Sequence, residues 1–132
     1  MSEVKADLLY SEEHEWAAKG AARTVRIGIT DFAQSRLGDI VFVELPELGA
    51  KTSEGDSLGT IESVKTVSDL YSPVGGTVVK LNEALIDQPE LVNSDPYGAG
   101  WIVELEVDGE PDGALSKLLN AEQYEALIAD QA

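Results

Sequence analysis

The stretch Val25, Arg26, Ile27, Gly28, Ile29, Thr30 alternates apolar with polar or small side chains, the two-residue period of a half-buried strand. The pattern breaks at "TDFAQSRLGD". Asp31 followed three positions on by Gln34 reads as a helix start and Gly38 as a stop, predicting a short helix over 31–37. "DIVFVELP" over 39–46 returns to strand: Val41, Val43 and Leu45 share one parity and Pro46 closes the run. A Gly-rich turn near 54–56 leads into a strand through about 58–63; "SDLYS" predicts another, "PVGG" at 73–76 a turn and "TVVKLN" a further strand. Short strands with turns at intervals of roughly eight to twelve residues predict a β-sandwich or barrel. The polar stretch 82–100, with Pro89, Asn93 and Pro96, reads as irregular, and "GWIVELEVDG" over 100–109 as a last long strand. Past it the period changes. Leu115, Leu118 and Leu119 make one helical stripe and Tyr124, Leu127 and Ile128 a second, with Asn120 and Gln123 as a cap between two short helices. No linker interrupts the chain, so residues 1–132 read as one domain.

Hydrophobic residues make up 43% of the chain, enough for a core, and no run approaches the roughly 18 apolar residues of a spanning helix. "MSEVKADLLYSEEHEW" has neither the apolar centre of a signal peptide nor the Arg/Ser bias of a transit peptide. The expectation is a soluble intracellular chain, cytoplasmic if bacterial and in the mitochondrial matrix if it is a processed eukaryotic protein. A net charge of −16, from 25 acidic and 9 basic residues, repels nucleic acid and anionic lipid and suits basic patches on other proteins.

The chemistry available to the chain itself is sparse. With no cysteine there are no disulfides, thiolate nucleophiles or thiolate metal ligands. His14 is the single histidine; "HEWAA" begins like a zinc-protease helix, but Ala18 stands where a second ligand is required, so no metal site is expected. No serine occupies a G-x-S-x-G setting, and "GAG" at 98–100 is too short for a dinucleotide fingerprint. No catalytic residue is assigned, and a non-enzymatic role is expected.

One lysine stands apart. "LGTIESV" and "VSDLYSPVGG" flank a turn of two or three residues, which places Lys65 at or beside a hairpin tip. Most turn lysines are simply solvated. Here the lysine is held on strands, Val64 and Val67 form an apolar collar, and a chain without its own redox chemistry would need a borrowed cofactor. On the residues alone two readings stand: an attachment point, or a surface charge on an unmodified β-sandwich interaction module.

"ESVKTVSDLYSPVGG" resembles the lipoyl-lysine segment of the glycine cleavage system H proteins. The likeness extends to "SEEHEW" at 11–16, "VRIGITDFAQSRLGDIVFVELPELG" at 25–49, "LVNSDPYGAGWIVELE" at 91–106 and "LLNAEQYEAL" at 118–127, in the family's order, covering about residues 8–128. Biotin carriers usually flank their lysine with methionine, and lipoyl domains of 2-oxoacid dehydrogenases place an acid directly before it. Val64 and Thr66 fit neither. The chain departs from the family at Gly75 and Glu13, where serines are common.

The resemblance implies a mainly β barrel-sandwich hybrid, of the lipoyl- and biotinyl-carrier type, with a short helix after the first core strand and C-terminal helices. It implies lipoate in amide linkage on Lys65, and Glu15 and Asp69 as carboxylates contacting the arm. His14 and Trp16 are read as packing or strand-edge residues. The implied work is carriage in glycine catabolism and one-carbon metabolism by a monomer. An aminomethyl group passes from a pyridoxal-phosphate glycine decarboxylase to a tetrahydrofolate-dependent aminomethyltransferase, and the dithiol to dihydrolipoyl dehydrogenase, with lipoylating enzymes as further partners. A related role, donating lipoyl groups to other enzymes as a lipoate relay, would carry the same motif.

Overall fold

The computed structural model describes residues 3–131; Met1, Ser2 and Ala132, the ends of the expected 1–132 domain, lie outside the described residues. Strands form two antiparallel sheets that do not close into a barrel. The larger, six-stranded sheet has the order β1 (Leu9–Tyr10), β2 (Glu15–Lys19), β3 (Thr24–Ile29), β9 (Val103–Glu106), β8 (Gly76–Leu81), β5 (Lys51–Thr52). The smaller has β4 (Ile40–Glu44), β6 (Ser57–Ser63) and β7 (Val67–Tyr71). Helices α1 (Asp31–Leu37), α2 (Ala84–Asp87), α3 (Leu91–Ser94), α4 (Pro111–Leu115) and α5 (Ala121–Gln131) complete the described fold, with α1 against α3, α2 against β4 and α5 against β1. Among the described residues no helix is long and apolar enough to cross a membrane.

The main core lies between the sheets. Val25, Ile27, Val78 and Leu105 of the large sheet meet Val43, Ile61 and Leu70 of the small one, all buried. The expected alternation in β3 is therefore present. A second cluster, Tyr10, Trp16 and Tyr124, packs under α5, whose Tyr124 ring stacks on Tyr10 at 4.5 Å. Successive residues of β2 thus serve two cores: Ala17 faces the first and Trp16 the second, as the strand's two-residue period requires.

Several sequence expectations need correction. In β4 the buried residues are Ile40 and Val43, while Val41 is 48% exposed. A register shift between Ile40 and Phe42 inserts one extra residue, and a bulge of this kind resets the parity on which Val41, Val43 and Leu45 would share a face. Helix α1 spans 31–37 as expected, but its cap is Thr30, whose side chain accepts from the Ala33 N–H; Asp31 instead accepts from the Gln34 amide at 2.7 Å. The stretch 82–100 contains α2 and α3, four residues each, too short to leave a periodic trace. The last strand is Val103–Glu106 rather than 100–109. At the start of α5 the capping pair is reciprocal: Gln123 N–H donates to Asn120 Oδ1 at 2.8 Å, and Asn120 N–H to Gln123 Oε1 at 2.9 Å.

Candidate functional site

Residues 64–66 connect β6 to β7, and Lys65 is exposed in that turn. The tip is tied down. Ser63 N–H donates to the Thr66 carbonyl at 2.8 Å, and Ser63 Oγ accepts from the N–H groups of Lys65 and Thr66, both at 3.2 Å. Val64 N–H donates to the Asp39 carbonyl at 3.1 Å, fixing the hairpin to the junction after α1. Gly38, at φ 82 and ψ −157, occupies backbone space that is essentially glycine-only. A Cβ there would lie 3.3 Å from Lys65 Cε, so the missing side chain leaves the lysine stem its place. Around it Phe42, Val64 and Val67 are 51%, 69% and 59% exposed. No carboxylate lies within salt-bridge distance of Lys65 among the described residues. Lys80, the other lysine beside an expected turn, instead sits within β8, 5.7 Å above the Trp101 ring.

Strand β7 leads from this tip to the two carboxylates named from the sequence. Asp69 and Tyr71 lie about 13 and 20 Å along the extended chain from Lys65, at roughly 3.3 Å per residue. Asp69 is exposed; it faces the Ser57 hydroxyl at 3.5 Å and accepts from the Tyr71 hydroxyl at 3.4 Å. Glu15, the first residue of β2, is only 2% exposed. Its Oε1 accepts from Ser11 Oγ at 2.6 Å and its Oε2 from the Tyr71 N–H at 3.3 Å. Glu15 therefore bridges the two sheets across the free edge of β7, and Tyr71 joins it to Asp69. The two acids converge on this tyrosine without touching each other.

Burial pushes the Glu15 carboxyl from 4.5 up to about 8, against the opposing pull of its bonds from Ser11 and Tyr71. At neutral pH it holds its proton. A cation brought beside it would reverse the preference, because an opposite charge favours the carboxylate. A cleft of about 350 Å³ opens here, its wall including Ser11, Glu13, Glu15, Glu54, Tyr71 and Lys117. Its acidic wall suits a small cationic group. The expected serine position in this wall is Glu13, an added acid. Ser11 and Tyr71 were not identified from the sequence; a serine four residues before a glutamate has no local signature, and the partner strand is distant in the chain.

His14 is a packing residue, as expected: its ring nitrogens meet Tyr124 and Gln131 at 2.8 and 2.9 Å. Trp16 is buried, and its indole N–H donates to the Pro96 carbonyl at 2.9 Å.

A mainly β, two-sheet fold that lifts one lysine on a hairpin has the architecture of a barrel-sandwich hybrid of the lipoyl-carrier type. The family model described as "Glycine cleavage H-protein" matches residues 8–131. A glycine cleavage system H protein of Mycolicibacterium smegmatis is 56% identical over 131 residues, spanning 98% of this chain and 100% of that protein. One from Mycobacterium avium is 52% identical over 132 residues, with the same shares. The crystal structure of a glycine cleavage system H protein from Mycobacterium marinum shares the fold with a TM-score of 0.84 at 42% identity, covering 96% of this chain and 99% of that one. The chain belongs to the glycine cleavage H-protein family, whose members are the lipoyl carriers of the glycine cleavage system.

Proposed function

We propose that this chain carries lipoate on Lys65 and shuttles the aminomethyl group of glycine between the enzymes of the cleavage system, without catalysing a step itself. The observation that carries this is the placement of an exposed lysine, collared by valines, at the head of a strand that ends against a buried acid. Amide formation would remove the lysine's charge and leave its stem over Gly38, between the apolar side chains of Val64 and Val67. When bound, the lipoyl group would supply the sulfur redox chemistry that a cysteine-free chain lacks.

The chain's own residues then shelter the cargo. An ammonium entering the cleft would meet Glu15, whose proton would pass to solvent as the carboxylate pairs with it, while Asp69 lies outside the cleft wall and joins it only through Tyr71; such a charge-assisted bond contributes about 1.5–3 kcal/mol. The cleft limits access by water, so the cargo survives transit. The acidic surface suits basic docking faces on glycine decarboxylase, aminomethyltransferase, dihydrolipoyl dehydrogenase and the lipoylating enzymes. With mycobacterial relatives, cytoplasmic work as a monomer is the fitting setting.

The decisive experiment is intact mass spectrometry with peptide mapping of residues 59–80, after expression with lipoate. Wild type should gain one lipoyl group on Lys65, and Lys65→Arg should fold, stay unmodified and lose carrier activity. Lipoylation persisting in that variant overturns the assignment.

A further inference from the structure

The residue just before β2 turns its side chain away from the cleft that Glu15 lines. His14 has φ 72, a left-handed conformation that few side chains adopt. Its N–H donates to the Ser11 carbonyl at 3.2 Å and its carbonyl accepts from Thr30 N–H at 3.1 Å. The ring is held between α1 and α5, 5.0 Å from the Phe32 ring and 5.7 Å from that of Tyr124.

The hydrogen bonds of this ring run in one direction. With Gln131 Oε1 placed 2.9 Å from Nε2 and able only to accept, the bond network assigns the imidazole proton to Nε2. Nδ1 is then the acceptor, and the Tyr124 hydroxyl 2.8 Å away donates to it. Burial raises the Tyr124 phenol to about 12, so the donor keeps its proton. Thr30 Oγ1, 2.7 Å from the same hydroxyl, donates to it in turn and accepts from the Ala33 N–H at 3.2 Å. Arg36, on α1, closes the end of α5 by donating to the Gln131 carbonyl at 3.1 Å. The C-terminal helix is thus hydrogen-bonded to the residue next to Glu15 at both of its ring nitrogens.

We infer that Tyr124 and His14 are positioning residues: through them the C-terminal helix fixes the turn before β2 so that Glu15 points into the cleft between Ser11 and Tyr71. The turn is also closed on itself, Ser11 N–H donating to the Glu15 carbonyl at 2.9 Å, so the ring bonds of His14 add the tie from this closed turn to the C-terminal helix. Ser11 Oγ accepts from the N–H groups of Glu13 and Glu15 at 3.2 and 3.1 Å while bonding the Glu15 carboxyl. A rotation at His14 would therefore swing the carboxyl and its serine together. The stack of Tyr124 on Tyr10 needs no hydroxyl, so the helix can stay docked while the link to His14 is cut.

The consequence for cargo protection rests on the proposed function; the positioning itself does not. The test uses Tyr124→Phe, which keeps the stack, and His14→Asn, which tolerates the left-handed backbone but cannot span to both partners. The first readout, on the unlipoylated chain, is the titration midpoint of the Glu15 carboxyl carbon by NMR. In wild type burial should place it at about 8. In both variants it should fall by about one pH unit or more as water reaches a less firmly held carboxyl. A purely structural role would lower the melting temperature and leave that midpoint in place, so an unmoved midpoint in both variants overturns the inference. The second readout is the half-life of the loaded carrier without the transferase, with Glu15→Gln as reference. A moved midpoint together with an unchanged half-life in Glu15→Gln supports the positioning and removes Glu15 from cargo protection. A shortened half-life in Glu15→Gln with unmoved midpoints does the reverse.

Discussion

Glu15 makes the unlipoylated chain less stable as pH rises, and Glu15→Gln should remove that dependence. The folded-state carboxyl loses its proton near pH 8 and the unfolded one near 4.5. Between these values the folded chain binds the extra proton, so linkage makes stability fall with rising pH. The loss is absent below about 4.5, grows by about 1.4 kcal/mol per pH unit, and is complete above about 8. At pH 7 it amounts to about 3 kcal/mol, a large share of a typical domain's roughly 5–15 kcal/mol. The cause is the desolvation of a carboxylate that is 2% exposed. Glutamine keeps the shape and an acceptor for Ser11 or Tyr71, and nothing on it ionises. The assay is urea unfolding of both chains at a series of pH values from 5 to 9. Subtracting the curves cancels the titration of the other acids. The variant's advantage should widen steadily with pH and level off above pH 8. A difference that stays constant across the series refutes the burial argument.

Gly38→Ala should cost about 1–3 kcal/mol, because φ 82 with ψ −157 strains any other residue; it should also slow lipoylation by crowding the Lys65 stem, as read by the rate of mass gain. Raising ionic strength should raise the apparent KM of the lipoylated chain with its partner enzymes, since charges are screened beyond about 8 Å at physiological salt; a flat response would assign the charge of −16 to solubility alone. The pure chain should not turn over glycine, and measured turnover with the partner enzymes shown to be absent would contradict the carrier reading.

The parts of the fold visible in the sequence were those written in local period and punctuation. β3 alternates along the sequence, and β6, β7 and β8 fall between the turn signals at Gly55, Pro73 and Gly75, so the hairpin that lifts Lys65 follows from them, while the register shifts inside β6 and β8 leave no local mark. The capping pair Asn120 and Gln123 is equally local. What escaped was set by tertiary pairing. The bulge in β4 arises only when that strand is laid against β6. Helices α2 and α3 are a single turn each, and no hydrophobic stripe can form over four residues. The site divides in the same way. The resemblance supplied Lys65, Glu15 and Asp69 as positions, but the burial of Glu15 depends on β2 facing the other sheet. Ser11 and Tyr71 become its partners only through that arrangement, and the hold of Tyr124 on His14 spans 110 residues of chain.

The bond from Tyr71 to Glu15 also bears on self-association. β7 is the edge of a three-stranded sheet, with Val67 and Val64 exposed beside it; unpaired edges of this kind invite strands of neighbouring molecules to add on. Here one of the edge N–H groups is already taken by a carboxyl from the other sheet. A second copy zipping along β7 would have to displace Glu15 and bring a further negative charge, its own Asp69, close to this one. Lysine acylation would take away the charge of Lys65 at the head of the strand and sharpen that repulsion. The modified carrier should therefore resist edge-to-edge aggregation at concentrations where an apolar hairpin without these acids would form fibres.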